Sequence, residues 1–145
     1  MNATIRTMKE TDRAQILAMM RVFYASPAVW SNGSEAIFEA DFNACVGDSP
    51  YLEGYVFENG EEIQGYAMTA KSFSTEFGKP CIWIEDLYVK DDYRGQGIGS
   101  RFLSFIEDRY PDAVLRLEIE AENERALHVY QSCGYDALPY MEMKK

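Results

Sequence analysis

The chain has 145 residues, the length of one ordinary domain, and about two thirds of its unfolded surface can be buried at that size. A hydrophobic fraction of 47% and an aromatic fraction of 14% exclude disorder. With 14 Lys and Arg against 24 Asp and Glu, the net charge of −10 repels nucleic-acid phosphates but not a small cation. No apolar stretch approaches the ~20 residues that span a bilayer, so no membrane partner is expected. The N-terminus shows no basic region followed by an apolar stretch and a cleavage site. Three cysteines, Cys45, Cys81 and Cys133, make an odd count without a close pair. Together these suit a cytoplasmic, reducing compartment and offer neither a disulfide framework nor a metal cluster.

Ala3–Thr7 alternates like a first strand. Thr11 or Asp12 can cap a helix carrying Ile16, Leu17, Met20 and Phe23 or Tyr24 at helical spacing, and Ser26–Pro27 ends it. A second helix is expected from Gly33 to Cys45, with Ile37, Phe38 and Phe42 on one face. Tyr51–Phe57 and Ile63–Phe73 read as a hairpin turned at Asn59–Gly60. Cys81–Val89 is the next strand, followed by a glycine-rich turn. A helix with Phe102, Leu103, Phe105 and Ile106 on its core face comes next and stops at Pro111. Ala113–Ile119 reads as a strand and Asn123–Ser132 as a helix. Gly134 terminates that helix before a closing strand at Tyr140–Met143. Paired strands followed by strand–helix–strand units imply a mixed α/β domain spanning 1–145.

Arg94-Gly95-Gln96-Gly97-Ile98-Gly99 places three glycines at alternate positions between a strand and a helix. Such a turn can aim several N–H groups at one anion, or it can simply be a tight connection. A P-loop would need Gly-Lys-Ser/Thr, and Gly99 is followed by Ser100 and Arg101. The dinucleotide fingerprint wants its third glycine one position later. The roughly 45 residues that follow are also too few for the rest of a dinucleotide fold.

The hexapeptide does fit the Arg/Gln-x-x-Gly-x-Gly/Ala signature, and here the chain resembles the GNAT acyl-CoA N-acyltransferases. The resemblance extends through Ile84-Glu85-Asp86-Leu87-Tyr88-Val89 and Asp92-Tyr93 upstream. Downstream it takes in Asn123, Ala126, Leu127, Tyr130 and Gly134-Tyr135, so that it covers residues 82–135. It implies a mostly antiparallel twisted sheet of about six or seven strands, splayed at a bulge and flanked by about four helices. It also implies acetyl-CoA as cosubstrate without a metal, and direct transfer in a ternary complex.

By the same resemblance the backbone of Arg94, Gly95, Gln96, Gly97, Ile98, Gly99 and Ser100 holds the coenzyme pyrophosphate. The backbone groups of Leu87 and Val89, with Tyr88 between them, pair with the pantetheine arm, and Asn123 meets it near the start of its helix. Tyr130 resembles the general acid that protonates the leaving sulfur. Glu85 resembles the carboxylate that takes the amine proton in polyamine acetyltransferases. Strand alternation sends the adjacent Asp86 to the opposite face unless the bulge intervenes. His128, two residues from Tyr130, falls on another side of the helix and reads as a surface or packing residue.

The acceptor is less legible. From Val22 to Ala70 there is no Lys or Arg, while Glu35, Glu39, Asp41 and five further acids fall in that span. Such a wall would concentrate a cation, although charge runs are more often solvated faces. The stretch 84–99 looks like diamine and polyamine acetyltransferases, so a small cationic amine is expected, with Glu35, Glu85 and Asp86 at its site. An aminoglycoside, an amino acid, a protein amine and a non-catalytic acyl-CoA sensor are the alternatives. The family also includes homodimers, and no sequence feature here separates monomer from dimer.

Overall fold

The computed structural model describes residues 3–145. One sheet has the order β1-β2-β3-β4-β5, formed by Thr4–Thr7, Leu52–Asn59, Glu62–Ser74, Lys79–Val89 and Val114–Leu117. The first four strands are antiparallel neighbours, and β5 runs parallel to β4 after the α3 crossover. The helices are α1 (Arg13–Tyr24), α2 (Glu35–Val46), α3 (Ile98–Arg109) and α4 (Glu124–Ser132). Helices α1 and α2 cover one face, where Ile16, Met20 and Phe42 meet Val56, Tyr66 and Met68. Helix α3 covers the other, where Phe102 and Ile106 meet Tyr55, Phe57, Ile82 and Ile84, and Tyr130 of α4 packs at its margin. Phe102 is fully buried, so truncating it to Ala would cost about 3–5 kcal/mol.

Local chemistry explains where the helices begin. Ser34 accepts a hydrogen bond from the Ile37 amide and opens α2, two residues later than the Gly33 start read from the sequence. Asn123 does the same for Ala126 at the start of α4.

The expected six or seven strands are not found: the sheet has five among the described residues. The closing strand read at Tyr140–Met143 is irregular chain. Pro139 has no N–H to give to a ladder. Tyr140 donates its hydroxyl to Glu76, and Met143 is 91% exposed. Strand β5 is also shorter than the expected 113–119. Its pairing with β4 ends at Ile84–Leu117, so the two strands part beyond that point.

The parting coincides with a change of register in β4. Met68 pairs with Asp86 and the next residue, Thr69, with Ile84, which leaves Glu85 as the extra residue of a β-bulge. The bulge reverses the strand's alternation. Ile82 and Ile84 face the α3 core, whereas Tyr88 faces the α1 core and Leu87 and Val89 take over the α3 side.

Candidate active site

The splay between β4 and β5 opens a cleft of about 730 Å³. Its floor is Leu87, Tyr88 and Val89, one end is the 94–100 turn, and the far wall is α4 as far as Tyr130. Gly95 and Gly97 stand at φ +77° and +79°, a left-handed conformation that other residues adopt at a cost of about 1–2 kcal/mol. Gly97 is also the N-cap of α3 and has no side chain to satisfy the first-turn amides. A Cβ built at Gly95, Gly97 or Gly99 would meet no atom within 4 Å, so the space above the turn is open to a ligand. Free amides at a helix N-terminus facing open space fit a phosphate-bearing ligand such as the coenzyme pyrophosphate.

Of the sequence-expected coenzyme residues, all but Gln96 line this cleft. Arg94 is turned back on the chain. Its Nε donates to the Val89 carbonyl at 2.9 Å and its guanidinium pairs with Asp91. The Val89 carbonyl is therefore already engaged. Arg94 braces the turn, and the groups it leaves available to an anion are backbone N–H.

Tyr130 projects into the same cleft from α4, with its ring packed edge-on to Tyr135 at 6.0 Å. Its hydroxyl makes no hydrogen bond within the chain among the described residues. Burial pushes its pKa up to about 12, so the phenol keeps its proton at neutral pH. Asn123 lines the cleft while capping the same helix. His128 is exposed on another side of α4.

A second cavity of about 800 Å³ adjoins the first, sharing Ala28 and Glu120 as wall residues. It is lined by Glu85, Glu118 and Glu142, by Trp30 and by Lys144 from the chain's end. Desolvation, together with the charges of Asp86, Asp41 and Glu142, raises the Glu85 pKa above the usual carboxylate range. Glu118 is pushed up to about 7, chiefly by its hydrogen bond with Glu142 and then by desolvation. These acids press on one another without enough cations to balance them.

The other expected acceptor residues lie elsewhere. Glu35 is exposed and bridged by Arg21 at 2.6–3.0 Å, and Glu39 pairs with Arg13, so both tie α2 to α1. Asp86 is 3% exposed on the α1 side of the sheet, accepting hydrogen bonds from Tyr24 and Tyr66. Asp41, from the acidic run, does point inward. Half-buried and without a cationic partner among the described residues, it is raised to about 6 by desolvation and by Asp86. Glu118 and Glu142 escaped sequence reasoning because they come from the end of β5 and from irregular chain, with no shared motif.

Comparison with known proteins agrees with this geometry. The acetyltransferase (GNAT) family matches residues 16–135. A thialysine N-epsilon-acetyltransferase of Bos taurus is 32% identical over 95% of this chain and 86% of its own length. An L-amino acid N-acyltransferase of Escherichia coli K12 is 28% identical over 91% and 78% of the two chains. The solved structure of AAC(6')-Iy in complex with the bisubstrate analogue CoA-S-monomethyl-acetylneamine superimposes with a TM-score of 0.80. That match covers 100% of this chain and 98% of that one at 14% identity, a likeness of fold. No helix among the described residues is long and apolar enough to cross a membrane. The family match over most of the chain, with acetyltransferases among its relatives, makes this chain a member of the GNAT family and an acetyl-CoA-dependent N-acetyltransferase.

Proposed function

We propose that the protein acetylates a primary amine of a small cationic molecule, a polyamine or a similar amine, by direct transfer in a ternary complex. The observation that carries this reading is the junction of two unlike cavities. One is lined by backbone amides and Tyr130, the other by Glu85, Glu118 and Glu142. Bound acetyl-CoA supplies the activated acetyl thioester. The amides from Gly95 to Ser100 hold its diphosphate by dipoles, and the walls at Leu87, Tyr88 and Asn123 orient its arm.

Glu85 accepts the acceptor's ammonium proton at a carboxylate oxygen, directly or through a water. Its raised pKa brings it closer to the operating pH and makes it a better-matched base than an ordinary surface carboxylate. Tyr130 holds a proton at Oη, facing the cleft, for the thiolate that must depart. Its own elevated pKa keeps that proton in place until it is needed. Glu118 and Glu142 stabilise the remaining positive charge of the acceptor.

The testing experiment follows thiol release from acetyl-CoA against spermidine, spermine, putrescine, an aminoglycoside, single amino acids and a lysine peptide. Saturable turnover with a polyamine supports the proposal. Turnover confined to the neutral-side-chain amino acids or to the peptide would overturn the cationic small-molecule acceptor.

A further inference from the structure

Asp86 is a carboxylate in the α1-side core with no cation against it among the described residues. Tyr24, in the last turn of α1, donates to its Oδ1 at 2.7 Å, and Tyr66 of β3 donates to its Oδ2 at 2.8 Å. Tyr66 is fully buried, and the rings of Tyr24 and Tyr66 each pack against Phe23. Two neutral hydroxyls satisfy the carboxylate's geometry, but they repay its desolvation less well than an arginine would. An apolar residue here would pack without that cost. The placement therefore calls for a reason beyond stability.

The register of β4 supplies one. Regular alternation after Ile84 would put residue 86 on the α3 face, and only the extra residue at Glu85 brings Asp86 to the tyrosines. The two hydroxyl bonds and the bulge thus require each other. If β4 slipped to remove the bulge, Asp86 would enter the apolar α3 core and Glu85 would shift its place in the ladder.

We infer that Asp86, gripped between Tyr24 and Tyr66, is a positioning residue that locks the β4 bulge and so holds the Glu85 carboxylate in the acceptor cavity. This role rests on the reading of Glu85 as the base. It deepens that reading by naming what aims the group. The charged groups around Glu85 are Asp86 on its own strand, Asp41 from α2, Glu118 and Glu120 after β5, and Glu142 and Lys144 from the C-terminal segment, acids but for Lys144. Asp86 therefore also adds to the negative field around the base that it positions.

The test compares the whole chain with its Asp86→Asn, Tyr66→Phe and Glu85→Gln variants. It measures kcat, KM for acetyl-CoA, the pH dependence of kcat/KM and direct binding of coenzyme A by calorimetry. Asn keeps the volume and one acceptor oxygen, and Tyr66→Phe leaves Asp86 with Tyr24. Asp86→Asn is expected to lower kcat roughly 10- to 100-fold. Coenzyme binding should stay within about twofold, because the glycine turn is untouched. The acid limb of the profile should move to lower pH, since loss of a neighbouring negative charge lowers the Glu85 pKa. Tyr66→Phe should give a smaller loss in the same direction. Wild-type kcat in Asp86→Asn would overturn the inference. So would a loss shared equally by coenzyme binding with the acid limb in place, which marks a plain packing role. Full activity in Glu85→Gln would instead remove the base reading itself, and absent coenzyme binding in the unmodified chain would remove the coenzyme reading.

Discussion

The coenzyme cleft and the acceptor cavity share two wall residues but are built on opposite principles. On the proposed reading the cleft holds charge with backbone, the turn from Gly95 to Ser100 at the start of α3. The cavity holds charge with side chains drawn from β4, from the chain after β5 and from the irregular C-terminus. Amide dipoles satisfy an anion at little cost in the empty protein, since water can solvate them. Carboxylates taken out of water and set near one another resist ionisation: burial first and neighbouring acids second raise the pKa values of Glu85 and Asp41, and the hydrogen bond with Glu142 followed by burial raises that of Glu118. The first design is a general holder for a molecule that does not vary. The second, on the proposed reading, is a field that a cationic acceptor would relax.

The sharpest way to break this comparison is at Tyr130, which belongs to the cleft by position and to the chemistry by proposed role. Tyr130→Phe is expected to lower kcat by about 10²–10³-fold while coenzyme affinity holds within about twofold. Steady-state kinetics beside calorimetry reads both. Unchanged kcat would remove Tyr130 from proton transfer and leave it as a wall residue.

Gly97→Val tests whether the cleft works through its backbone. The substitution forces a branched side chain to φ +79° and fills the open space above the turn. It should weaken coenzyme binding at least ~30-fold, the equivalent of about 2 kcal/mol, and destabilise the fold by about 1–2 kcal/mol. Gly60→Ala is the control: φ is +65° and it too has open space, but it lies in the β2–β3 turn away from the cleft. It should show a similar stability cost with unchanged coenzyme affinity. Equal loss of binding in both variants would mean that strain, not access to the amides, is what the glycines govern.

These contrasts explain what the sequence could reveal. A backbone site is made of neighbours in the chain, so the glycine turn, the α3 helix after it and the Asn123 cap were legible at residue level. The order of nine elements was legible too, apart from the last expected strand. Tyr140–Met143 has the alternation of a strand, but no neighbour among the described residues pairs with it, and Pro139 stands directly before it. The acceptor cavity was legible only as a bias in charge. Glu35 and Glu39 look equivalent to Asp41 in the acidic run, yet α1 presents Arg21 and Arg13 to the first two and no cation to the third. The phase of β4 was likewise hidden, because the bulge brings Asp86 to partners far away in the chain, Tyr24 and Tyr66.

A pH series sharpens the cavity's side of the comparison. Glu118 has its folded pKa raised from 4.5 to about 7, so between those values the folded chain binds more protons than the unfolded chain. Its contribution to stability is present in full below pH 4.5 and is lost as the pH climbs through about 7. Asp41, raised from 3.8 to about 6, acts in the same sense. The thermal midpoint should therefore fall from pH 5 to pH 8, while KM for a cationic acceptor improves over the same range as Glu118 gains charge. In Glu142→Gln the amide can donate to Glu118, returning its pKa toward the ordinary range. Both slopes should flatten, with KM little changed at pH 6, where the pair carries about one negative charge either way, and raised at pH 8, where the variant has lost one. A slope unchanged by Glu142→Gln would detach the pH response from this carboxylate pair.

The smallest effects separate Asp41 from Glu35, the two acids of one helix. Asp41 lacks a cation among the described residues and spreads its charge to Glu85 and Asp86, whereas Glu35 spends its charge on Arg21 at the protein surface. Asp41→Asn should raise KM for a cationic acceptor about threefold, the loss of one partly screened charge. At pH 8 it should also stabilise the fold by on the order of 1 kcal/mol once solvent screening is allowed for, since it removes an ion that burial disfavours. Glu35→Gln should leave KM and kcat unchanged, because exposed ion pairs of this kind hold little energy and its carboxylate faces neither cavity. Thermal melts and a single acceptor titration decide both. A shift in KM for Glu35→Gln as large as for Asp41→Asn would show that the whole acidic run steers the acceptor from a distance. The acceptor's charge would then be read by net field instead of by the inward-facing acids.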